Sequence, residues 1–142
     1  MKALYTSTVT ATGGRGDGIA KSADGLVDLK IGTPKELGGK DDGYNPEQLF
    51  AAGYSNCHLG AIKFVAGKEN PPVKIAADST VVAHVTLGAR DDGAGFEIAC
   101  SLDVHLPGVD KAKAEELTKK AHVVCPYSWS IRNNIDVKTT VV

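Results

Sequence analysis

Asn45-Pro46-Glu47-Gln48-Leu49-Phe50-Ala51-Ala52-Gly53-Tyr54-Ser55-Asn56-Cys57-His58-Leu59-Gly60-Ala61-Ile62-Lys63-Phe64-Val65-Ala66-Gly67 reads as one helix. Asn45 suits the N-cap, Pro46 the first turn, and Glu47 sets a negative charge at the positive end of the helix dipole. Gly67 is the expected stop. Phe50, Gly53, Cys57, Gly60, Ala61 and Phe64 recur at steps of three and four, which predicts that they share one face. That face consists mostly of small residues, with a thiol at its centre. A cysteine that only packs is the ordinary reading of such a position.

The 142 residues carry a net charge of -1, with 42% apolar and 23% charged side chains. That length and balance predict one domain, residues 1–142, with a core of its own. The near-zero charge gives no footprint for nucleic acid or for a membrane surface. No apolar run approaches about 18 residues, and the start lacks a signal-peptide core, so a cytoplasmic location is expected. Three cysteines, widely spaced, do not form a secreted disulfide framework. In a reducing compartment, catalytic or metal-binding roles for them gain weight.

Outward from the helix, Ala3 to Thr12 reads as a strand. Gly13-Gly14-Arg15-Gly16-Asp17-Gly18 follows as a permissive loop with one arginine at its tip. Ile19–Ser22 and Leu26–Ile31 read as short strands around a turn at Ala23-Asp24-Gly25, and residues 33–44 as a surface loop. Beyond Pro71-Pro72, residues 73–87 alternate as a long strand, with Val81, Ala83, Val85 and Leu87 on one side. Arg90-Asp91-Asp92-Gly93 signals a hairpin turn. Phe96–Leu106 is the return strand, and places Ile98, Cys100, Leu102, Val104 and Leu106 together. Asp110 opens a second helix with Ala112, Leu117, Ala121 and Val124 as its apolar stripe; it ends before Pro126. Residues 127–134 read as a loop or short turn, and Ile135–Val142 as a closing strand. Strands joined mainly by tight turns, with two helices, predict an α+β fold built on antiparallel sheet.

Cys57 in mid-helix and Cys125 at a helix end are a candidate reactive thiol and resolving thiol, provided that the fold brings them within reach. Two inert core cysteines are the alternative. Arg15 near Cys57 would favour the thiolate and grip a polar oxygen substrate; otherwise it is a solvated loop residue. Glu47 could hold Arg15 through a two-pronged salt bridge, or serve only the helix dipole. Ten positions separate Glu47 from Cys57, which is about 15 Å along a straight helix. One arginine serves both only if the helix bends, as at Gly53, or if a second subunit supplies one of them. A metal site built from Cys57, His58, His122 and Cys125 is the chemical rival. Adjacent residues point about 100° apart, so Cys57 and His58 do not converge easily. His84 and His105 fall on strands, and Cys100 alternates with core residues.

Taken together, Asn45-Pro46-Glu47-Gln48-Leu49-Phe50-Ala51-Ala52-Gly53-Tyr54-Ser55-x-Cys57, His122-x-Val124-Cys125-Pro126-Tyr127-Ser128, Asn134-Ile135-Asp136-Val137 and the glycine loop at Gly13-Gly14-Arg15 resemble the organic hydroperoxide resistance proteins. These belong to the superfamily of the osmotically inducible protein C. The resemblance implies antiparallel curved sheets wrapped around two main helices in an intertwined homodimer. It implies a cofactor-free, cysteine-based peroxidase that protects against oxidative stress. Cys57 would attack an organic, fatty-acid-type hydroperoxide, release an alcohol and become a sulfenic acid. Cys125 would resolve that acid into an intramolecular disulfide. Arg15 would stabilise thiolate and peroxide, and Glu47 would hold Arg15. A dihydrolipoyl-bearing protein, or another dithiol, would be the reductant. A non-catalytic redox sensor or small-molecule binder on the same fold is the alternative. The chain departs from the family pattern at Asn56 and His58, which flank the first cysteine where small or apolar residues are usual. It departs again at Trp129-Ser130-Ile131-Arg132.

Overall fold

A computed structural model describes all residues, Met1–Val142, and the chain divides into two compact units, Met1–Leu49 and Phe50–Val142.

The first unit holds a three-stranded antiparallel sheet in the order β1 (Val9–Thr12), β2 (Asp17–Ser22), β3 (Asp28–Gly32). The expected strand from Ala3 starts only at Val9. Val9 lies opposite Ser22, the last residue of β2, and nothing pairs with the chain before it. The glycine loop is the β1–β2 hairpin, with Gly13 and Gly14 at φ of 71° and 68°. A Cβ on Gly13 would sit 3.0 Å from the Gly18 Cα, so the loop closes only with glycine there. Arg15 stands at its tip. The loop after β3 carries a single 3-10 turn at Lys35–Leu37, and Tyr44 bridges back to Ile31.

Helix α1 spans Pro46–Ala66 without interruption, within one residue of the expected bounds at each end. Its start is a capping box. The Gln48 N–H donates to Asn45 Oδ1 at 2.8 Å, and the Asn45 N–H donates to Gln48 Oε1 at 3.0 Å. The buried face differs from the expected one. Tyr54, His58, Ala61, Ile62, Val65 and Ala66 are buried, whereas Gly60 and Phe64 are exposed.

In the second unit β4 (Thr80–Ala89) and β5 (Phe96–His105) form the expected hairpin, and β6 (Val137–Val141) follows α2 (Lys111–Val124) and α3 (Pro126–Ile131). β4 starts at Thr80, not Val73, because its partner β5 ends opposite it at His105. Val81, Ala83 and Val85 face inward against Val104, Leu102 and Cys100. β6 joins β5 in parallel, so this sheet is mixed and not wholly antiparallel. The two helices supply the crossover that a parallel neighbour requires. Asp110 caps α2 by accepting from the Lys113 N–H. Its buried stripe is Ala114, Leu117, Thr118 and Ala121; the expected Ala112 and Val124 are exposed. Residues 127–134, expected as a loop or turn, are helical through Ile131 as part of α3, because Pro126 that stops one helix fits the first turn of the next. No helix is long and apolar enough to cross a membrane.

Candidate active site

Cys125 is the single extended residue between α2 and α3, at φ -67° and ψ 120°. Its N–H still closes α2 on Ala121 O at 2.8 Å, and its carbonyl accepts the Trp129 N–H of α3 at 2.9 Å. The residue is therefore pinned from both sides and fully buried. Its sulfur lies 3.1 Å from Cys57 Sγ, and both thiols are free. Cys57 is only half-buried, so of the two it is the one a solute can reach.

Burial pushes the Cys57 thiol above its ordinary pKa, the Tyr127 backbone N–H pulls the other way, and the neighbouring Cys125 sulfur raises it again. The groups packed around Cys57 in its own unit therefore favour the thiol and not the thiolate. The Tyr127 amide reaches the sulfur because Pro126 turns the chain at the start of α3. The Tyr127 ring stacks on Tyr54 at 5.9 Å and meets Phe50 edge-on at 5.7 Å. A Cβ at Gly53 would stand 2.9 Å from the Tyr127 Cζ. Gly53 therefore makes room for this ring; α1 runs on through it as helix.

Within the first unit, Arg15 Nη1 and Nη2 donate to Glu47 Oε2 and Oε1, each at 2.8 Å. The pair is the two-pronged bridge that the sequence suggested. Its hydrogen bonds raise the Arg15 pKa and hold the Glu47 carboxyl below its ordinary value. The Arg15 side chain remains 41% exposed, which leaves guanidinium surface for another group. The four candidates thus stand as two pairs, one in each unit.

The sequence did not single out the polar network behind the thiols. The Tyr54 hydroxyl meets Ser128 Oγ at 3.0 Å, Ser128 Oγ meets His122 Nδ1 at 3.0 Å, and His122 Nε2 meets Thr139 Oγ1 at 2.8 Å. The His58 ring packs on His122 with centroids 4.4 Å apart. His58 is fully buried, and neither ring nitrogen has a partner. Burial, then the charge of His122, pushes its pKa down to about 4. The step of four between Tyr54 and His58, continued to Ile62 and Ala66, was the available signal. No three His, Cys, Asp or Glu side chains converge in a way that would hold a metal ion. Cys100 is buried in the core of the second unit, and His84 is exposed beside Asp103.

Residues 39–140 match the model of the family described as OsmC-like protein. An uncharacterized protein of Acinetobacter baylyi is 50% identical over 98% of this chain and 94% of its own length. The organic hydroperoxide resistance protein of Xanthomonas axonopodis pv. citri is 48% identical over 99% of this chain and 96% of its own. A solved structure of an organic hydroperoxide resistance protein from Legionella pneumophila is 44% identical, covers 99% of this chain and 98% of its own, and superposes with a TM-score of 0.90. On these grounds the chain belongs to the OsmC-like family, among its organic hydroperoxide resistance proteins.

Proposed function

We propose that the protein is a thiol peroxidase that reduces organic hydroperoxides to alcohols, working in the cytoplasm as one domain that pairs into a homodimer. The observation that carries this reading is the 3.1 Å contact between a half-buried Cys57 and a fully buried Cys125. The Cys57 thiolate attacks the peroxide oxygen and the O–O bond breaks. One oxygen stays as sulfenic acid, and the alkoxide takes a proton and leaves as alcohol. The Cys125 thiol then attacks the sulfenic sulfur, its proton leaving with the hydroxyl as water, and a disulfide remains. An external dithiol, in this reading a dihydrolipoyl group on a protein, returns both sulfurs to thiols.

Arg15, held by Glu47, supplies the positive charge that the thiolate requires to overcome its burial. The separation of Glu47 and Cys57 along one helix favours an arginine from the second copy of the chain. The exposed apolar side chains Val123, Val124 and Trp129, in the segments flanking Cys125, suit an apolar peroxide tail. A second reading, a slow redox sensor, draws support from the raised thiol of Cys57.

The test is turnover of cumene hydroperoxide against hydrogen peroxide with excess dihydrolipoamide. Multiple turnovers favouring the organic peroxide, abolished in Cys57→Ser, are expected. Full activity in Cys57→Ser refutes the mechanism, and a single oxidation per chain selects the sensor.

A further inference from the structure

Between α2 and β6 lies an open pocket of about 410 Å³, with His122 in its lining. Its wall includes Thr118, which is 3% exposed and whose hydroxyl has no hydrogen-bond partner. A polar group bound in the pocket would supply the partner that this hydroxyl lacks. Lys111 and Lys119 line the same space. Their situation contrasts with the lysines on the other flank of α2. Lys113 and Lys120 are engaged by Glu69 and Glu116, whereas Lys111 and Lys119 make no ion pair. Glu115 stands between them, also without an ion pair, so the lining keeps one net positive charge. Val137 and Val141 contribute the apolar part of the opposite wall.

We propose that this cavity is a binding site for a small monocarboxylate, separate from the thiol pair. The two ammonium groups and the Thr118 hydroxyl take the carboxylate, and a short alkyl chain lies on Val137 and Val141. The site borders the redox centre through one side chain. His122 donates to or accepts from Thr139 on the cavity side and Ser128 on the thiol side, and its ring packs on His58, the residue after Cys57. A bound carboxylate stabilises the protonated form of His122 and so moves its titration upward.

The experiment titrates butyrate and hexanoate into the reduced full-length Cys57→Ser protein, followed by calorimetry and by the NMR signal of the His122 ring. Working in that variant separates this site from peroxide chemistry, so the result does not depend on the peroxidase reading. Saturable binding is expected, with hexanoate tighter than butyrate and His122 titrating at higher pH when occupied. Thr118→Val, which keeps shape and removes the hydroxyl, should weaken binding at least fivefold, and Lys111→Ala with Lys119→Ala at least tenfold. Inorganic phosphate that binds as tightly as hexanoate would make the cavity a general anion sink and overturn the proposal. Absent saturation, or affinity unchanged in the Thr118 and lysine variants, overturns it too.

Discussion

His58→Leu should remove a specific acid weakness. In the folded chain His58 is buried, unpartnered and held neutral, with its pKa pushed to about 4 from an ordinary 6.5. The unfolded chain therefore binds more protons between those two values, and stability must fall as pH falls through that window. A full shift of that size corresponds to roughly 3 kcal/mol, of which about 2 kcal/mol is already lost at pH 5. Leucine has a similar volume and no nitrogen to leave unpaired. At pH 7.5 the variant should match the wild type or exceed it by about 1–2 kcal/mol, since a buried unpaired polar group is unfavourable. Its advantage should then grow by about 2 kcal/mol on going to pH 5. His122, whose pKa is also lowered by burial, packs on the His58 ring, so the difference between the two proteins reports on this histidine pair. The assay is urea denaturation of both reduced proteins at one protein concentration, from pH 7.5 to 5. A difference between them that stays constant across that range refutes the argument, because His58 would then not be titrating on unfolding.

Gly53→Ala should destabilise the fold by about 1–3 kcal/mol, because the intrusion on the Tyr127 ring outweighs roughly 1 kcal/mol of helix propensity. A raised melting temperature in that variant would show that the ring yields freely. Glu47→Gln should cut kcat/KM for an organic hydroperoxide roughly tenfold to a hundredfold by releasing Arg15. It should change stability by no more than about 1 kcal/mol, since Arg15 is substantially exposed. Peroxide kinetics beside a melting curve separate the two effects. Cys125→Ser should leave Cys57 as a sulfenic acid after one equivalent of peroxide, detectable with dimedone, whereas wild type should show a disulfide and no dimedone adduct.

The parts of the fold that local chemistry decides were legible. Asn45, Pro46 and Glu47 announce the helix start, and the alternation of β5 from Cys100 to Val104 gives its inward face. The glycine loop carries Arg15 as its composition suggests. What failed was non-local. The sequence pattern counted Phe64 as core, yet it is 58% exposed, and it gave Tyr54 and His58 no weight, yet both are fully buried. A helix rich in small residues has a weak apolar stripe, so its phase is set by what packs on it and not by its own pattern. Strand ends at Val9 and Thr80 are set by partners far away in sequence. The parallel entry of β6 leaves no mark on the strand itself, and Pro126 reads equally as the end of one helix and the start of another.

That helix phase decides the chemistry. Cys57 and His58 are adjacent and project about 100° apart, so turning one toward the core turns the other to the edge. Tyr54, Ile62, Val65 and Ala66 fix the phase that buries His58 and leaves Cys57 half-exposed against Cys125. Rotation by one residue would bury Cys57 where His58 now sits and take it from its partner sulfur. The second sulfur is placed by an equally local rule. Pro126 disfavours helical backbone at Cys125 and starts α3, so one proline sets the Cys125 thiol at the pivot and brings the Tyr127 N–H to Cys57. A helix phase held by four side chains and a proline between two helices are therefore sufficient to bring two sulfurs, 68 residues apart in sequence, into contact.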